Sequence, residues 1–267
     1  MTAQGPHVLD PPLLEALHQL VETPTLLVAL DFDGTLAPFV DRPLDARMLP
    51  AAKRALQKMV TLADTSVVFI SGRPVESLAH VTEADDDALL VGSHGVEERL
   101  GRLGGEITLT DEERSLLYDL GSALHACVSA VPGARFEVKP VGFGVHYRGL
   151  ADEVGTRLKD RALRIAQEIA PQALIRHGKD VVEFSLRSAN KGDAVRHLRE
   201  VTGATAVLFA GDDATDEDGF RALGEGDVGV KVGAGATQAR YRVRDEEEIA
   251  LLVALVADLR DERIRRA

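Results

Sequence analysis

The 267-residue sequence has a single cysteine, Cys127, so no disulfide can form within the chain. A lone cysteine also argues against a cysteine metal site, and Cys127 falls on the apolar side of a predicted helix, where a buried thiol is expected. No apolar run approaches the roughly 18 residues that a membrane span requires. The amino-terminal segment has no basic stretch leading into an apolar one, so no signal peptide is evident. We therefore expect a cytoplasmic protein without membrane partners.

Positive charge is also scarce. The sequence has 31 lysines and arginines against 43 aspartates and glutamates, which gives a formal net charge of −12. Nucleic acid is therefore not an expected partner, because its phosphates would be repelled. A small phosphate-bearing ligand stays compatible with this charge if basic residues or a metal ion concentrate positive charge at one site. The sequence gives no indication of the oligomeric state.

Buried parallel strands are predicted near both ends of the chain. The largely apolar runs Leu26–Leu30, Ser66–Ile70 and Ala206–Ala210 are typical of such strands, and shorter ones are predicted at 89–91 and 228–232. Amphipathic segments between these runs predict helices. Strands that alternate with helices predict a parallel sheet with right-handed crossovers and helices on both faces.

The middle of the chain has a different pattern. Two amphipathic helices are predicted, at 111–131 and at about 152–170. Alternating polarity predicts four strands with one covered and one open face, at 135–139, 145–148, 174–176 and 181–186. The sequence therefore predicts an α/β protein with a Rossmann-like parallel-sheet core, formed by residues 1–102 and 187–267. An α+β cap domain is predicted as an insertion into this core at 103–186.

Acidic residues follow two of the predicted core strands. Asp31 and Asp33 follow the first strand, and Asp212, Asp213 and Asp216 follow the fourth. The carboxyl ends of parallel strands are where open α/β sheets bind ligands. Buried carboxylates are costly unless they pair or hold a cation, and hard oxygen ligands suit Mg²⁺. We therefore predict a magnesium site here. Helix capping is the alternative for Asp216, but it does not account for Asp212, which precedes the helix.

Two further segments are suited to binding an anion. Ser71, Gly72 and Arg73 follow the second core strand, where a hydroxyl, backbone N–H groups and a guanidinium can hold a phosphate. Lys191 begins a predicted helix, and its ammonium would act as a point charge on a phosphate oxygen. The alternatives are a turn serine for Ser71 and a solvated helix-start lysine for Lys191, although a cation is disfavoured at a helix amino end.

The order of these segments resembles that of the haloacid dehalogenase superfamily of phosphohydrolases, along nearly the whole chain. The resemblance implies that Asp31 is a nucleophile that forms an aspartyl-phosphate, and that Asp33 is the general acid and base. It implies that Mg²⁺ is held by Asp31, the backbone carbonyl of Asp33, and Asp212. It also implies that Ser71 and Lys191 bind the transferring phosphoryl group.

The predicted cap carries a second group of polar residues. Glu137 and Lys139 share one face of a strand, and interleaved acids and bases suit a ligand with many hydroxyls; cross-strand salt bridging is the alternative. Together with Gly92–Glu97 and Gly211–Asp218, the polar residues of the cap resemble those of trehalose-6-phosphate phosphatases. In that family the cap is inserted between the second motif, here the segment with Ser71, and the third motif, here the segment with Lys191, which is the C2-type position. The resemblance implies five sugar-binding residues: Glu137, Lys139, Arg148, Lys179 and Glu183. It implies supporting roles for four others: Asp213 and Asp216, which orient metal-bound waters or Lys191, and His94 and Glu97.

The resemblance thus implies a phosphatase that uses Mg²⁺ to hydrolyse a sugar phosphate, trehalose 6-phosphate, in the last step of trehalose biosynthesis. Hydrolysis of another sugar phosphate, such as sucrose 6-phosphate or mannosyl-3-phosphoglycerate, is the alternative within this class, since Ser185-Leu186 replaces the family's usual Arg-Pro pair. A phosphomutase would need a second phosphate site, yet the cap's cations come with matched acids. The non-enzyme alternative is a sugar-phosphate-binding regulatory domain. Loss of Asp31, Asp33 or Lys191 would indicate it, and all three are present.

Overall fold

The computed structural model describes residues 9–101, 110–139, 141–178, 180–186 and 190–266. The chain divides into two compact units. The first, which we call the core domain, consists of Met1–Glu106 and Ala189–Ala267, and the second, the cap domain, consists of Ile107–Ser188. The sequence-based cap boundaries at 103 and 186 lie four and two residues before these limits.

Eight α-helices and eleven strands are present in the described residues. The helices are α1 (Pro11–Leu20), α2 (Pro50–Met59), α3 (Val75–Thr82), α4 (Asp111–Ser129), α5 (Asp152–Ile169), α6 (Lys191–Thr202), α7 (Asp216–Arg221) and α8 (Glu246–Arg266). The strands are β1 (Leu26–Leu30), β2 (Thr65–Ile70), β3 (Leu89–Gly92), β4 (Glu97–Arg99), β5 (Arg135–Lys139), β6 (Gly142–His146), β7 (Leu174–Gly178), β8 (Val181–Ser185), β9 (Ala206–Gly211), β10 (Val228–Val232) and β11 (Tyr241–Val243). Among the described helices, none is both long enough and apolar enough to cross a bilayer.

The core domain is built on one seven-stranded sheet with the order β11-β10-β9-β1-β2-β3-β4. Neighbouring strands pair in parallel except β3 and β4, which are antiparallel. The predicted α/β class with a parallel-sheet core is therefore confirmed. The sequence pattern does not predict β4 and β11, because three residues are too few for a periodicity to be recognised.

The central strand β1 is buried on both faces. Leu26, Val28 and Leu30 belong to one apolar cluster, which also contains residues of α1, α2 and α8. Leu27 and Ala29 belong to a second cluster, which contains residues of α6 and α7. Burial on both sides explains why this strand is a continuous apolar run rather than an alternating one.

The cap domain is a two-layer unit. Its antiparallel sheet has the order β5-β6-β8-β7, and α4 and α5 pack against one face of it. The predicted strand at 145–148 is wrong in its bounds: β6 runs from Gly142 to His146, so it contains 145 and 146, whereas Tyr147 and Arg148 follow it. Gly142 is a ladder residue rather than a turn residue. A Cβ at this position would lie 1.9 Å from the carbonyl oxygen of Phe184, so the close approach of β8 requires glycine.

Arg260 of α8 is the largest fully buried side chain among the described residues. Its guanidinium donates at 2.5–2.9 Å to four backbone carbonyl oxygens, those of Val21, Thr23, Pro24 and Asp64, and at 3.1 Å to Oγ1 of Thr65. These acceptors lie in the segments that lead into β1 and β2. Arg260 therefore fixes the starts of two adjacent central strands.

We predict that Arg260→Met lowers the free energy of unfolding by about 3 kcal/mol, because it removes the hydrogen bonds that Arg260 donates to four buried or partly buried carbonyl groups. Urea unfolding of the full chain measures the change. The matched control is Arg265→Met on the same helix, where the exposed side chain pairs with Asp261 and a change below about 0.5 kcal/mol is expected. A loss of under 1 kcal/mol in Arg260→Met would show that Arg260 is not a main determinant of core stability.

Candidate active site

Three adjacent parallel strands of the core sheet end at the same edge. Asp31 follows β1, Ser71 follows β2 and Asp212 follows β9. The N–H of Asp31 donates to the carbonyl oxygen of Ala210 at 2.9 Å, so the pairing of β1 with β9 extends to Asp31 itself. The sheet register thus brings together predicted site residues that are far apart in the sequence.

Lys191 lies between two carboxylates. Its Nζ is 2.8 Å from Oδ1 of Asp31 and 2.6 Å from Oδ1 of Asp216. Lys191 retains 2% of its accessible surface and Asp216 none. Lys191 is the first residue of α6, and Asn190 caps that helix by accepting from the N–H of Asp193 at 2.9 Å. The alternative of a solvated helix-start lysine is therefore wrong.

Burial and charge together set the protonation of this group. Burial raises the pKa of Asp31 to about 6 and that of Asp216 to about 6, although Lys191 opposes both shifts. Burial, and then the charge of Asp216, also raises the pKa of Asp212. For Lys191, burial lowers the pKa, but Asp31 and Asp216 outweigh it and hold the pKa above its usual value. The lysine is therefore charged at neutral pH, but its charge does not fully offset the effect of burial on the carboxylates.

A divalent cation fits the donor atoms of this cluster. Asp31, Asp212 and Asp216 each offer an oxygen, and these oxygens lie within 4.8 Å of one another. Two ammonium groups, those of Lys191 and Lys231, lie near these three carboxylates. Lys231 donates to the backbone carbonyl of Asp212. The donors are hard oxygens in a site that keeps net negative charge, which is the ligand type that Mg²⁺ takes. Among the described residues, these three carboxylates are the ones best placed to hold a divalent cation.

A glycine lets the two acidic loops approach each other. Gly34 has φ +76°, and a Cβ at this position would lie 2.4 Å from Oδ2 of Asp212. Its neighbour Thr35 donates through Oγ1 to Oδ1 of Asp212 at 3.2 Å. The Gly-Thr turn after Asp33 thus serves to place Asp212 beside Asp31.

Asp33 is bound by Arg73 through two parallel hydrogen bonds. Nε of Arg73 is 2.5 Å from Oδ2 of Asp33, and Nη2 is 2.6 Å from Oδ1. The carboxylate of Asp33 is not one of the three that form the cluster above. The sequence predicts Arg73 as a phosphate ligand, whereas the structure directs its guanidinium to Asp33.

The turn formed by Ser71, Gly72 and Arg73 is held by the loop that follows β3. The buried Ser71 accepts through Oγ from the N–H of Arg73 at 3.1 Å, and its carbonyl accepts from the N–H of His94 at 3.0 Å. The ring of His94 lies against Gly72. Oε2 of Glu97 accepts at 3.0 Å from the first N–H of α3. His94 therefore holds the backbone of the turn, and Glu97 holds the start of the helix that follows it.

Asp213 lies in the turn that leads into α7. Its Oδ1 accepts from the N–H of Thr215 at 3.3 Å, and its own N–H donates to Oδ2 of Asp216 at 2.9 Å. Of the two aspartates predicted to orient Lys191 or metal-bound waters, the structure brings Asp216 into contact with Lys191. Because Asp216 also binds Lys191, helix capping alone does not account for it.

Lys231 is a site residue that the sequence reasoning missed. It lies on β10, retains 4% of its accessible surface, and donates to the Asp212 carbonyl. The available signal was a lysine inside the run Val228–Val232, since a charged residue within a buried strand requires a polar partner.

One face of the cap sheet is polar. The antiparallel registers align Glu137, Gly144 and Glu183 in a single row across three strands. Nε2 of His146 lies 2.7 Å from Oε2 of Glu137, and the ammonium of Lys139 pairs with the carboxylate of Glu183. The cross-strand pairs weighed as the alternative are thus present. The same paired acids and bases are also the acceptors and donors that a ligand rich in hydroxyls needs.

Of the other two predicted sugar ligands, Arg148 is placed differently. Arg148 follows β6 instead of lying in it, its side chain is 73% exposed, and its Nε lies 3.7 Å from Oδ2 of Asp180. Lys179 lies outside the described residues. Of the five predicted cap ligands, the structure therefore brings Glu137, Lys139 and Glu183 onto one sheet face.

Comparison with known proteins gives a consistent result. The trehalose-phosphatase family profile matches residues 29–247. Trehalose-6-phosphate phosphatase of Escherichia coli K12 is 35% identical over 239 residues, which cover 84% of this chain and 85% of that protein. The trehalose-6-phosphate phosphatase-related protein of Thermoplasma acidophilum is 26% identical over 233 residues, covering 86% and 96%.

A solved structure of Aspergillus fumigatus trehalose-6-phosphate phosphatase superposes with a TM-score of 0.71 at 25% identity, and the match covers 95% of this chain and 99% of that one. The predicted resemblance is confirmed by these matches, which extend over both parts of the core sequence and the cap. The chain therefore belongs to the trehalose-phosphatase family and is a phosphoric monoester hydrolase.

Proposed function

We propose that the protein hydrolyses trehalose 6-phosphate to trehalose and phosphate, with Mg²⁺ and through an aspartyl-phosphate intermediate, as the last step of trehalose biosynthesis. The observation that carries this proposal is the buried Lys191 between Asp31 and Asp216, beside Asp212, at the carboxyl ends of the sheet. Family membership and the name of the E. coli relative support the choice of substrate.

Asp31 is the nucleophile in this proposal. Its carboxylate oxygen forms a bond to phosphorus while the bond from phosphorus to the sugar oxygen breaks. Lys191 already contacts Asp31, and from this position its charge offsets the repulsion between carboxylate and phosphate. The buried hydroxyl of Ser71 would donate to a second phosphoryl oxygen.

Asp33 transfers the protons of both steps. It donates one to the sugar oxygen as that oxygen leaves, and then accepts one from the water that attacks the aspartyl-phosphate. Asp31, Asp212 and the backbone carbonyl of Asp33 would hold Mg²⁺, with Asp216 as a further oxygen donor of the cluster. When bound, Mg²⁺ supplies positive charge that stabilises the negative charge of the phosphoryl transition state.

The polar face of the cap sheet is proposed to recognise the sugar. Glu137 and Glu183 would accept hydrogen bonds from hydroxyl groups, and Lys139 would donate them. Glu137 is already paired with His146, and Lys139 with Glu183, so sugar hydroxyls replace existing hydrogen bonds rather than meet unpaired side chains. Arg148 and Lys179 are assigned the same role by resemblance.

We predict that Asp31→Asn lowers phosphate release from trehalose 6-phosphate by at least about 10³-fold, because an amide cannot form the acyl phosphate. Phosphate release is measured from a panel of sugar phosphates, with and without Mg²⁺. The control is Asp218→Asn, which affects a pair with the exposed Arg221 and should keep wild-type turnover. Unchanged turnover in Asp31→Asn would contradict the mechanism, and a preference for another sugar phosphate would contradict the substrate.

We predict that Glu183→Ala lowers kcat/KM for trehalose 6-phosphate by about 10- to 100-fold, since an acceptor for a sugar hydroxyl on the polar face of the cap sheet is lost. The slow hydrolysis of 4-nitrophenyl phosphate, which has no sugar, should change less than about twofold. Glu153→Ala on α5, with an exposed side chain, is the control in the same domain. An equal loss on both substrates would mean that Glu183 serves the phosphoryl transfer or the fold.

We predict that Mg²⁺ raises the thermal midpoint of the wild-type protein, by an amount that corresponds to about 2.7 kcal/mol at a concentration 100 times its Kd. Asp212→Asn should abolish this shift. Because the folded-state pKa of Asp212 lies above its ordinary value, its charge opposes folding at neutral pH. The metal-free variant should therefore be at least as stable as the metal-free wild type at pH 7.5. If Mg²⁺ raises the thermal midpoint of Asp212→Asn as much as that of the wild type, Asp212 does not bind the metal.

A further inference from the structure

We propose that Arg73 is a positioning residue that holds the carboxylate of Asp33 in place, and that it does not bind the transferring phosphoryl group. The inference rests on the proposed function, in which Asp33 transfers the protons of both chemical steps. It assigns to Arg73 a role that differs from the phosphate contact expected from its sequence position.

The geometry of the pair fixes the whole carboxylate. Nε and Nη2 of Arg73 bind different oxygens of Asp33 at 2.5 and 2.6 Å, so the carboxylate can neither rotate about its own axis nor swing without losing a hydrogen bond. The backbone of the turn is held separately, because the N–H of Gly34 donates to the carbonyl of Ala37 at 2.8 Å. The turn therefore positions the Asp33 backbone, and Arg73 positions its side chain.

Arg73 itself makes two other contacts. Its Nη1 donates at 3.3 Å to Oγ of Ser77 on α3, and its guanidinium carbon lies 5.9 Å from the ring centroid of the buried Phe32. Its side chain is only 13% exposed, against 26% for Asp33. All three nitrogens of the guanidinium are thus engaged, and a move toward phosphate would break both bonds to Asp33.

The two chemical steps depend on Asp33 to different extents for different leaving groups. A sugar alkoxide needs a proton as its bond to phosphorus breaks, whereas 4-nitrophenolate leaves without one. In the second step a water oxygen bonds to phosphorus, the bond from Asp31 to phosphorus breaks, and the water proton passes to Asp33 whichever group has left. With 4-nitrophenyl phosphate, a misplaced Asp33 therefore slows only the second step.

Rapid-mixing kinetics of Arg73→Met with 4-nitrophenyl phosphate test the proposal. We expect a burst of 4-nitrophenolate of about one equivalent per site, at a rate within twofold of the wild-type first turnover, followed by a steady state that is about 10- to 100-fold slower. Arg73→Lys keeps the positive charge but not the bidentate contact, so its steady-state rate should lie between those of the wild type and Arg73→Met. Arg99→Met is the control, because Arg99 donates to the Asp85 carbonyl in the same domain.

A second measurement separates positioning from a general structural effect. In an Asp33→Asn background, Arg73→Met should add less than about twofold to the loss, since the group that it positions is already gone. Inhibition by inorganic phosphate should keep the wild-type Ki in Arg73→Met. A slowed burst together with weakened phosphate inhibition would overturn the proposal in favour of a phosphate ligand. Additive losses with Asp33→Asn, or wild-type kinetics in Arg73→Met, would also overturn it.

Failure of the proposed function has a separate signature. If the wild-type protein hydrolyses 4-nitrophenyl phosphate but not trehalose 6-phosphate, the substrate is wrong and the comparison of Arg73 variants still stands. If Asp33→Asn leaves both steps unchanged, the role given to Asp33 is wrong. If Arg73→Met does not fold, as judged by its circular dichroism, Arg73→Lys gives the same test: a slowed steady state with an unchanged burst supports the proposal, and a slowed burst contradicts it.

Discussion

The buried contact of Lys191 with Asp31 and Asp216 is the interaction on which the site depends. A lysine with so little exposure requires anionic partners, and two carboxylates without a lysine would repel each other in the same volume. The contact joins the end of β1, the start of α6 and the start of α7. It therefore fixes three chain segments from both halves of the core sequence, and Asp212 lies beside them with oxygen atoms suited to a hard cation.

The rest of the core serves to bring this contact together. The parallel register aligns the ends of β9, β1 and β2, and the glycine after Asp33 lets the loop of Asp212 approach closely. The cluster is unfavourable in itself, because burial raises the pKa of all three of its carboxyl groups. The apolar clusters on both faces of β1 and the hydrogen bonds of Arg260 offset that cost elsewhere in the domain.

Most of the fold and the location of the site could be predicted from the sequence, but the pairing of its side chains could not. Apolar runs show where strands lie, and acids or basic residues after them show which edge binds the ligand. Such a pattern does not say which cation meets which anion. The sequence pattern predicts that Arg73 binds phosphate, although its guanidinium binds Asp33. The pattern also does not indicate Lys231 as a site residue, because this lysine lies within a buried strand. In the cap, the predicted strand at 145–148 begins too late, because a glycine within a strand, such as Gly142, and a glycine in a turn look the same until the neighbouring strand is known.

Arg260 and the carboxylate cluster lie at opposite ends of the same strands. The arginine holds the segments that enter β1 and β2, and the cluster forms where those strands leave the sheet. The core domain thus separates the parts that keep it folded from the parts that react. A protein engineer could raise its resistance to heat by redesigning the entrance side of the sheet, while the reacting groups a strand's length away keep their arrangement.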